Sequence, residues 1–205
     1  MTELRALASP GDGGVRTTLG PLARFRVQAA RRASGRVLDI GARRLADLPD
    51  YQYLGHLALV EFPSEVSESD LPLRAEKIDA NAEHLPFPDR SFDAVVSRFA
   101  LSRSANPALA AREIARVLRW KGHLLFLEAA GDARRVDPVT HLRISGLVTH
   151  DIERSRTRAH PRWLVQGIAT HPSAQYEREI AWLLGTARGG NHDDEESSGL
   201  PQGSQ

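Results

Sequence analysis

The sequence of 205 residues predicts an α/β fold with a mostly parallel sheet, on three observations. Between residues 20 and 130, short apolar runs of strand length alternate with stretches of helical periodicity. The clearest helical stretch lies between two such runs, as a right-handed crossover between parallel strands requires. A final pair of apolar runs after residue 160 has the form of a closing hairpin.

In chain order, "PLARFRVQAARRA" puts Leu22, Phe25 and Ala29 on one helical face. "RVLDI", Arg36 to Ile40, reads as a buried strand, and "HLALVEF", His56 to Phe62, as a second. "EKID", Glu76 to Asp79, is a weaker third, and "FDAVVS", Phe92 to Ser97, a fourth. A helix follows. Asn106 can cap it, Pro107 suits its first turn, and Leu109, Ile114, Val117 and Leu118 form its apolar stripe. Gly122 is expected to end that helix in a left-handed conformation. "HLLFLEA", His123 to Ala129, is the fifth strand, and "RWLVQGIA" and "REIAWLLGTA" are expected to pair around "THPSAQ".

Composition narrows the function classes. Hydrophobic residues make up 41%, a globular proportion, and no run approaches the ~18 apolar residues of a membrane helix. The absence of cysteine excludes disulfides, thiolate nucleophiles and Cys-ligated zinc, and it fits a cytoplasmic setting. The first twenty residues carry no apolar block of the signal-peptide kind. A net charge of +1 gives no footing for a nucleic-acid partner. Of the 27 basic residues only Lys77 and Lys121 are lysines, so arginine clusters count for little as functional signals. Residues 1–19 read as a flexible arm, 20–188 as the folded domain, and 189–205 as a disordered acidic tail with too little apolar surface to offset its ordering entropy. Nothing in the sequence fixes an oligomeric state.

The segment "NAEHLPFPDRSFDAVVSRFALSRSANPALAAREIARVLRWKGHLLFLEA", Asn81 to Ala129, resembles class I S-adenosylmethionine-dependent methyltransferases. It is most similar to their small-molecule, type 11-like branch, whose pattern runs D-A-E-x-L-P-F-P-D-x-S-F-D and then E-x-x-R-V-L-x-P-G-G. With "RVLDIG" and "HLALVEF" added, the resemblance extends over residues 36–129. It implies a Rossmann-like seven-stranded sheet in the order 3-2-1-4-5-7-6, strand 7 antiparallel, with helices on both faces. It also implies S-adenosylmethionine as cofactor and a small-molecule substrate; the lack of a long apolar run gives no sign of a membrane partner.

The same resemblance assigns a cofactor site to Asp39, Gly41, Glu61, Asn81, Ala82 and Ser97. In open α/β sheets, ligands sit beyond the carboxyl ends of the strands, where the strand order reverses. Gly41 follows strand 1, where a missing Cβ admits a ligand. Glu61 ends strand 2, 22 residues after Asp39, close to the spacing of about 20 residues for an acid that binds ribose hydroxyls. Asn81 stands where the family has an adenine-binding Asp, the Ala82 N–H is expected to face the adenine edge, and Ser97 and Arg98 are expected to floor the pocket. As plain turn or surface residues, Asp39, Gly41 and Glu61 would need no ligand at all.

Two motifs depart from the family. The G-x-G-x-G loop reads Gly41, Arg43, Leu45, and "RWKG" puts Trp120 and Lys121 where Pro and Gly are usual. Arg43 would point either into the cofactor's space or away from it, and a left-handed non-Gly residue costs roughly 1–2 kcal/mol. These departures support the alternative of a catalytically degenerate relative acting as a binding or regulatory partner. A dinucleotide-dependent oxidoreductase would need G-x-G-x-x-G, which is absent. No catalytic residue is assigned, because attack on an activated sulfonium needs mainly alignment and exclusion of water. His141, His150, His160 and His171 lack metal-ligand spacing, so no metal is assigned, although any one of them could serve as a general base. "ERSRTRAHPR", Glu153 to Arg162, reads as a solvated basic face.

Overall fold

The computed structural model describes residues 20–51, 53–130, 136–157 and 160–172. The seven strands are β1 (Gly35–Ile40), β2 (Leu54–Val60), β3 (Ala75–Ile78), β4 (Phe92–Arg98), β5 (Leu118–Ala130), β6 (Val148–Thr157) and β7 (His160–Thr170). They form one sheet in the order β3-β2-β1-β4-β5-β7-β6. The first five are parallel, and β7 runs antiparallel to both β5 and β6. This is the Rossmann-like sheet that the resemblance implied.

Helices cover both faces, unequally. α1 (Pro21–Arg32) buries Phe25 and Ala29 against Val37, Leu57, Leu59, Val96 and Leu125. Leu22, expected on the same face, is 51% exposed; Pro21 is the buried residue of that first turn. The opposite face carries α2 (Ala100–Arg103), α3 (Pro107–Val117) and α4 (Pro138–Ile144) over Leu38, Ile40, Val95, Leu124 and Phe126. The crossovers from β1 to β2 and from β2 to β3 contain only 3-10 turns, at Leu45–Asp47 and Glu68–Asp70. Leu48 and Tyr51 from the first of these help α1 close its face of the core.

α3 starts as the sequence predicts, with the Asn106 side chain accepting the Leu109 N–H at 3.1 Å and Pro107 in the first turn. Its end differs. The helix stops at Val117, Leu118 is already extended, and Gly122 lies inside β5 without a left-handed backbone. Residues 119–122 bulge out opposite Asp93, since Phe92 pairs with Leu118 and Ala94 with His123. A Cβ on Gly122 would stand 2.8 Å from the Asp93 carbonyl and 2.9 Å from Leu118 Cδ1, so close approach, not φ, requires glycine here. The bulge exposes Trp120, which the Arg90 guanidinium covers at 3.5 Å and His171 meets edge-on at 4.8 Å.

The closing hairpin also differs from expectation. "RWLVQGIA" lies in β7, whose partners are β5 and β6. The basic stretch that begins at Glu153 therefore runs along the edge strand β6, where Arg154 and Arg156 are exposed, as a solvated face requires. The strand expected over residues 178–187, the arm at 1–19 and the tail at 189–205 fall outside the described residues. No helix among the described residues is long and apolar enough to cross a membrane.

Candidate functional site

The carboxyl tips of β1, β2 and β4 meet where the sheet reverses its order, and three residues just past them hold left-handed backbones. These are Gly41 (φ 87°), Glu61 (φ 55°) and Phe99 (φ 57°). Glycine takes this conformation freely, whereas each non-Gly residue costs roughly 1–2 kcal/mol. Strain of this sort gathers at binding sites, where the surroundings enforce a geometry the chain would not choose. Arg43 and Leu45 are not left-handed, and Arg43 is exposed, so the altered loop neither carries the expected backbone cost nor fills the crevice.

The structure brings Gly41, Glu61 and Ala82 together. The Ala82 N–H donates to Glu61 Oε1 at 3.2 Å, which turns it toward the acid and not toward an open adenine edge. Glu61 Oε2 accepts from Arg103 Nη2 at 3.0 Å. The same Arg103 guanidinium lies over Gly41: a Cβ built there would collide with it and with the Arg98 carbonyl. Side-chain exposures of 30% for Arg103 and 23% for Glu61 leave this pair reachable from solvent.

The other assigned residues point elsewhere. Asn81 Oδ1 accepts the N–H groups of Glu83 at 3.0 Å and His84 at 3.1 Å, closing a turn. Asp39 and Ser97 sit on opposite faces of the sheet, because Ile40, not Asp39, is in register with Ser97. Asp39 is buried on the α1 side, where it pairs with Arg98 and accepts the Tyr51 hydroxyl at 2.7 Å. Arg98 also donates to the Asp47 carbonyl. Burial alone would lower the Arg98 pKa, but Asp39 and the other acceptors outweigh it and hold the guanidinium above its ordinary value. This cluster supports the loop from beneath and is closed to a ligand.

Ser97 donates to Glu128 Oε1 at 3.2 Å, inside the α3 side. Glu128 is fully buried. It also accepts the Leu101 N–H at 3.2 Å, the Ser102 N–H at 2.9 Å and the Ser102 hydroxyl. Burial pushes its pKa up, against the bonds from Ser102, Leu101 and Ser97. Glu128 thereby anchors α2, the short helix that ends in Arg103. Sequence reasoning missed both residues. A lone acid in "HLLFLEA" was a legible sign of a buried anchor, whereas nothing local marks Arg103 among so many arginines.

Among the described residues, His150 and His171 lie away from the crevice. His171 accompanies Leu118 and Trp120 at the other end of the sheet, with Nε2 3.0 Å from the Leu118 carbonyl, and His150 contacts Thr170 Oγ1 at 3.1 Å. Among the described residues no three His, Cys, Asp or Glu side chains group as metal ligands do.

The motif "LPFPD" has a structural role that the distances define. Glu113 Oε2 accepts the Leu85 N–H at 2.9 Å. Arg116 donates to the carbonyls of Leu85 and Phe87 and to Asp89, while pairing with Glu113 on its own helix. Phe87 meets Phe92 edge-on at 4.8 Å. The two halves of the family signature are thus bolted together, with Arg116 held above its ordinary pKa chiefly by Glu113.

Comparison with known proteins agrees with this architecture. Residues 38–126 match the family described as "Methyltransferase domain". The uncharacterized methyltransferase YcgJ of Bacillus subtilis is 31% identical over 178 residues, 80% of this chain and 69% of that protein. The ubiquinone/menaquinone biosynthesis C-methyltransferase UbiE of Haemophilus ducreyi is 34% identical over 105 residues, 46% of this chain but 38% of the relative. The chain therefore spans well under half the length of that enzyme. Among solved structures, YcgJ superposes with a TM-score of 0.59 at 18% identity, covering 74% of this chain and 98% of that one. The 1,6-didemethyltoxoflavin-N1-methyltransferase of Burkholderia thailandensis, solved with its substrate and S-adenosylhomocysteine, gives 0.57 at 18% identity, covering 74% and 78%. The chain belongs to the class I S-adenosylmethionine-dependent methyltransferases.

The residues at the crevice suit an adenosyl ligand in their chemistry. Glu61 offers a carboxylate for a vicinal diol, and Gly41 offers a backbone without a Cβ. Two groups crowd Gly41, the Arg98 carbonyl and the Arg103 guanidinium, and of these only the guanidinium is the far end of a side chain.

Proposed function

We propose that this chain transfers a methyl group from S-adenosylmethionine to a small molecule, using the crevice at the tips of β1, β2 and β4. The observation that carries the reading is Glu61, an acid held in a strained left-handed backbone at the rim, beside the Cβ-free Gly41. When bound, the cofactor supplies an activated methyl group on a sulfonium. Glu61 binds the ribose hydroxyls through its two oxygens, and the Ala82 N–H orients that carboxylate. Asp39 and Arg98 hold the loop after β1 from below, and Glu128 with Ser97 holds α2 at the far wall. These groups align reactants and exclude water, which is the main demand of the reaction. A cytoplasmic setting is consistent with the composition.

The Arg103–Glu61 pair favours a cofactor-free relative serving as a binding partner. Calorimetric titration with S-adenosylmethionine and S-adenosylhomocysteine separates the two. Saturable binding that Glu61→Ala abolishes is expected of the enzyme. No heat at millimolar ligand would leave the scaffold.

A further inference from the structure

The placement of Arg103 is fixed by far more than its one ion pair. It is the last residue of α2, whose first turn hangs from the buried Glu128 carboxylate through the N–H groups of Leu101 and Ser102 and the Ser102 hydroxyl. Ser102 Oγ also accepts the Ala129 N–H at 3.0 Å, and the Phe99 N–H donates to the Leu127 carbonyl at 2.8 Å. The Arg103 N–H closes the helix on the Phe99 carbonyl at 3.0 Å. The backbone that carries the guanidinium is therefore set by β5, and only the side chain is free to swing.

That side chain occupies both features a cofactor would use. It holds Glu61 Oε2 at 3.0 Å while the Ala82 N–H holds Oε1, so neither carboxylate oxygen is unshared. It also lies over Gly41, sharing with the Arg98 carbonyl the space that a Cβ would need. A ligand presenting a vicinal diol to Glu61 must first release the guanidinium.

We propose that Arg103 is a gate: an internal cation that stands in the adenosyl site, competes with the cofactor for Glu61, and swings out when the cofactor binds. This rests on the methyltransferase reading above. The gate sets affinity, so removing it tightens binding. Relief of this partly exposed ion pair, together with the space the guanidinium vacates, corresponds to roughly a tenfold gain.

The test is calorimetric titration of the full chain and of Arg103→Ala with S-adenosylhomocysteine, repeated for both in a Glu61→Gln background. Arg103→Ala is expected to bind about tenfold more tightly, and the gain is expected to shrink once Glu61→Gln has removed the ion pair. Binding seen only in Arg103→Ala would be the strongest support. Affinity unchanged within about twofold overturns the gate while the methyltransferase reading stands. Weaker binding also overturns it, by making Arg103 a cofactor ligand. No binding by either protein overturns the gate together with the reading beneath it. Chemical unfolding of the same four proteins supplies a readout that needs no ligand. Nonadditive stability losses for the two substitutions are expected, and strict additivity would dissolve the pair that the gate requires.

Discussion

Two arginines, Arg116 and Arg103, each meet a glutamate, and the contrast between them separates architecture from ligand chemistry. Arg116 spends its donors on Glu113, Asp89 and the carbonyls of Leu85 and Phe87, tying α3 to the segment that leads into β4. Arg103 makes one side-chain bond across the crevice, between backbones that hold positive φ on either side. The first arrangement is saturated and leaves nothing for a ligand to replace. The second can be undone by a side-chain rotation. The "LPFPD" part of the family motif is thus a clamp, whereas the crevice is built from Gly41 and Glu61 outside that motif with Ala82 and Arg103 on either side of it.

The largest expected effect breaks the support beneath the crevice. Asp39→Ala leaves Arg98 buried and unpaired, at a cost of about 3–5 kcal/mol measurable by urea unfolding. Replacing both partners by apolar residues is expected to recover much of that loss. Next comes the clamp itself. Arg116→Ala removes bonds to two carbonyls and two carboxylates, for a loss of roughly 2–3 kcal/mol, while S-adenosylhomocysteine affinity stays within about twofold. A matching loss of affinity would show that the two regions are not separate.

Glu61→Gly probes the crevice from the other side. It relieves a left-handed non-Gly backbone, so the protein is expected to be unchanged or more stable by up to about 1 kcal/mol, yet to lose cofactor binding. A stability loss with binding retained would reverse the assignment. The smallest effect is a pH dependence. Burial holds the His123 pKa below its ordinary value of 6.5, so the unfolded chain takes up a proton more readily than the native one. Stability should therefore begin to fall as pH drops through about 6.5, and His123→Gln should flatten that part of the profile.

Much of the sheet was legible because β1, β2, β4 and β5 are apolar runs covered on both faces, and such runs announce themselves whatever surrounds them. β6 was not, since an antiparallel edge strand with the sequence "VTHDIERSRT" has polar residues on both faces and reads as solvated surface. Gly122 was misassigned because a helix-ending glycine and a glycine in a crowded bulge look alike in sequence. The site shows a similar division. Gly41, Glu61 and Ala82 could be placed at one crevice because motif spacing fixes which strand tip each follows. Asp39 and Ser97 both follow from the strand-tip motifs, but the alternation of side chains along a strand sends them to opposite faces of the sheet. Arg103 comes from a helix that the sequence does not single out, and its reach to Glu61 is a property of the folded chain alone.

The central claim is that an adenosyl group belongs between Gly41 and Glu61. A crystal structure of the full chain grown with millimolar S-adenosylhomocysteine tests it most directly. The account predicts both ribose hydroxyls within hydrogen-bonding distance of the Glu61 carboxylate and the Arg103 guanidinium displaced from Gly41. Ligand density elsewhere, or none, with Arg103 still seated on Glu61, would contradict it.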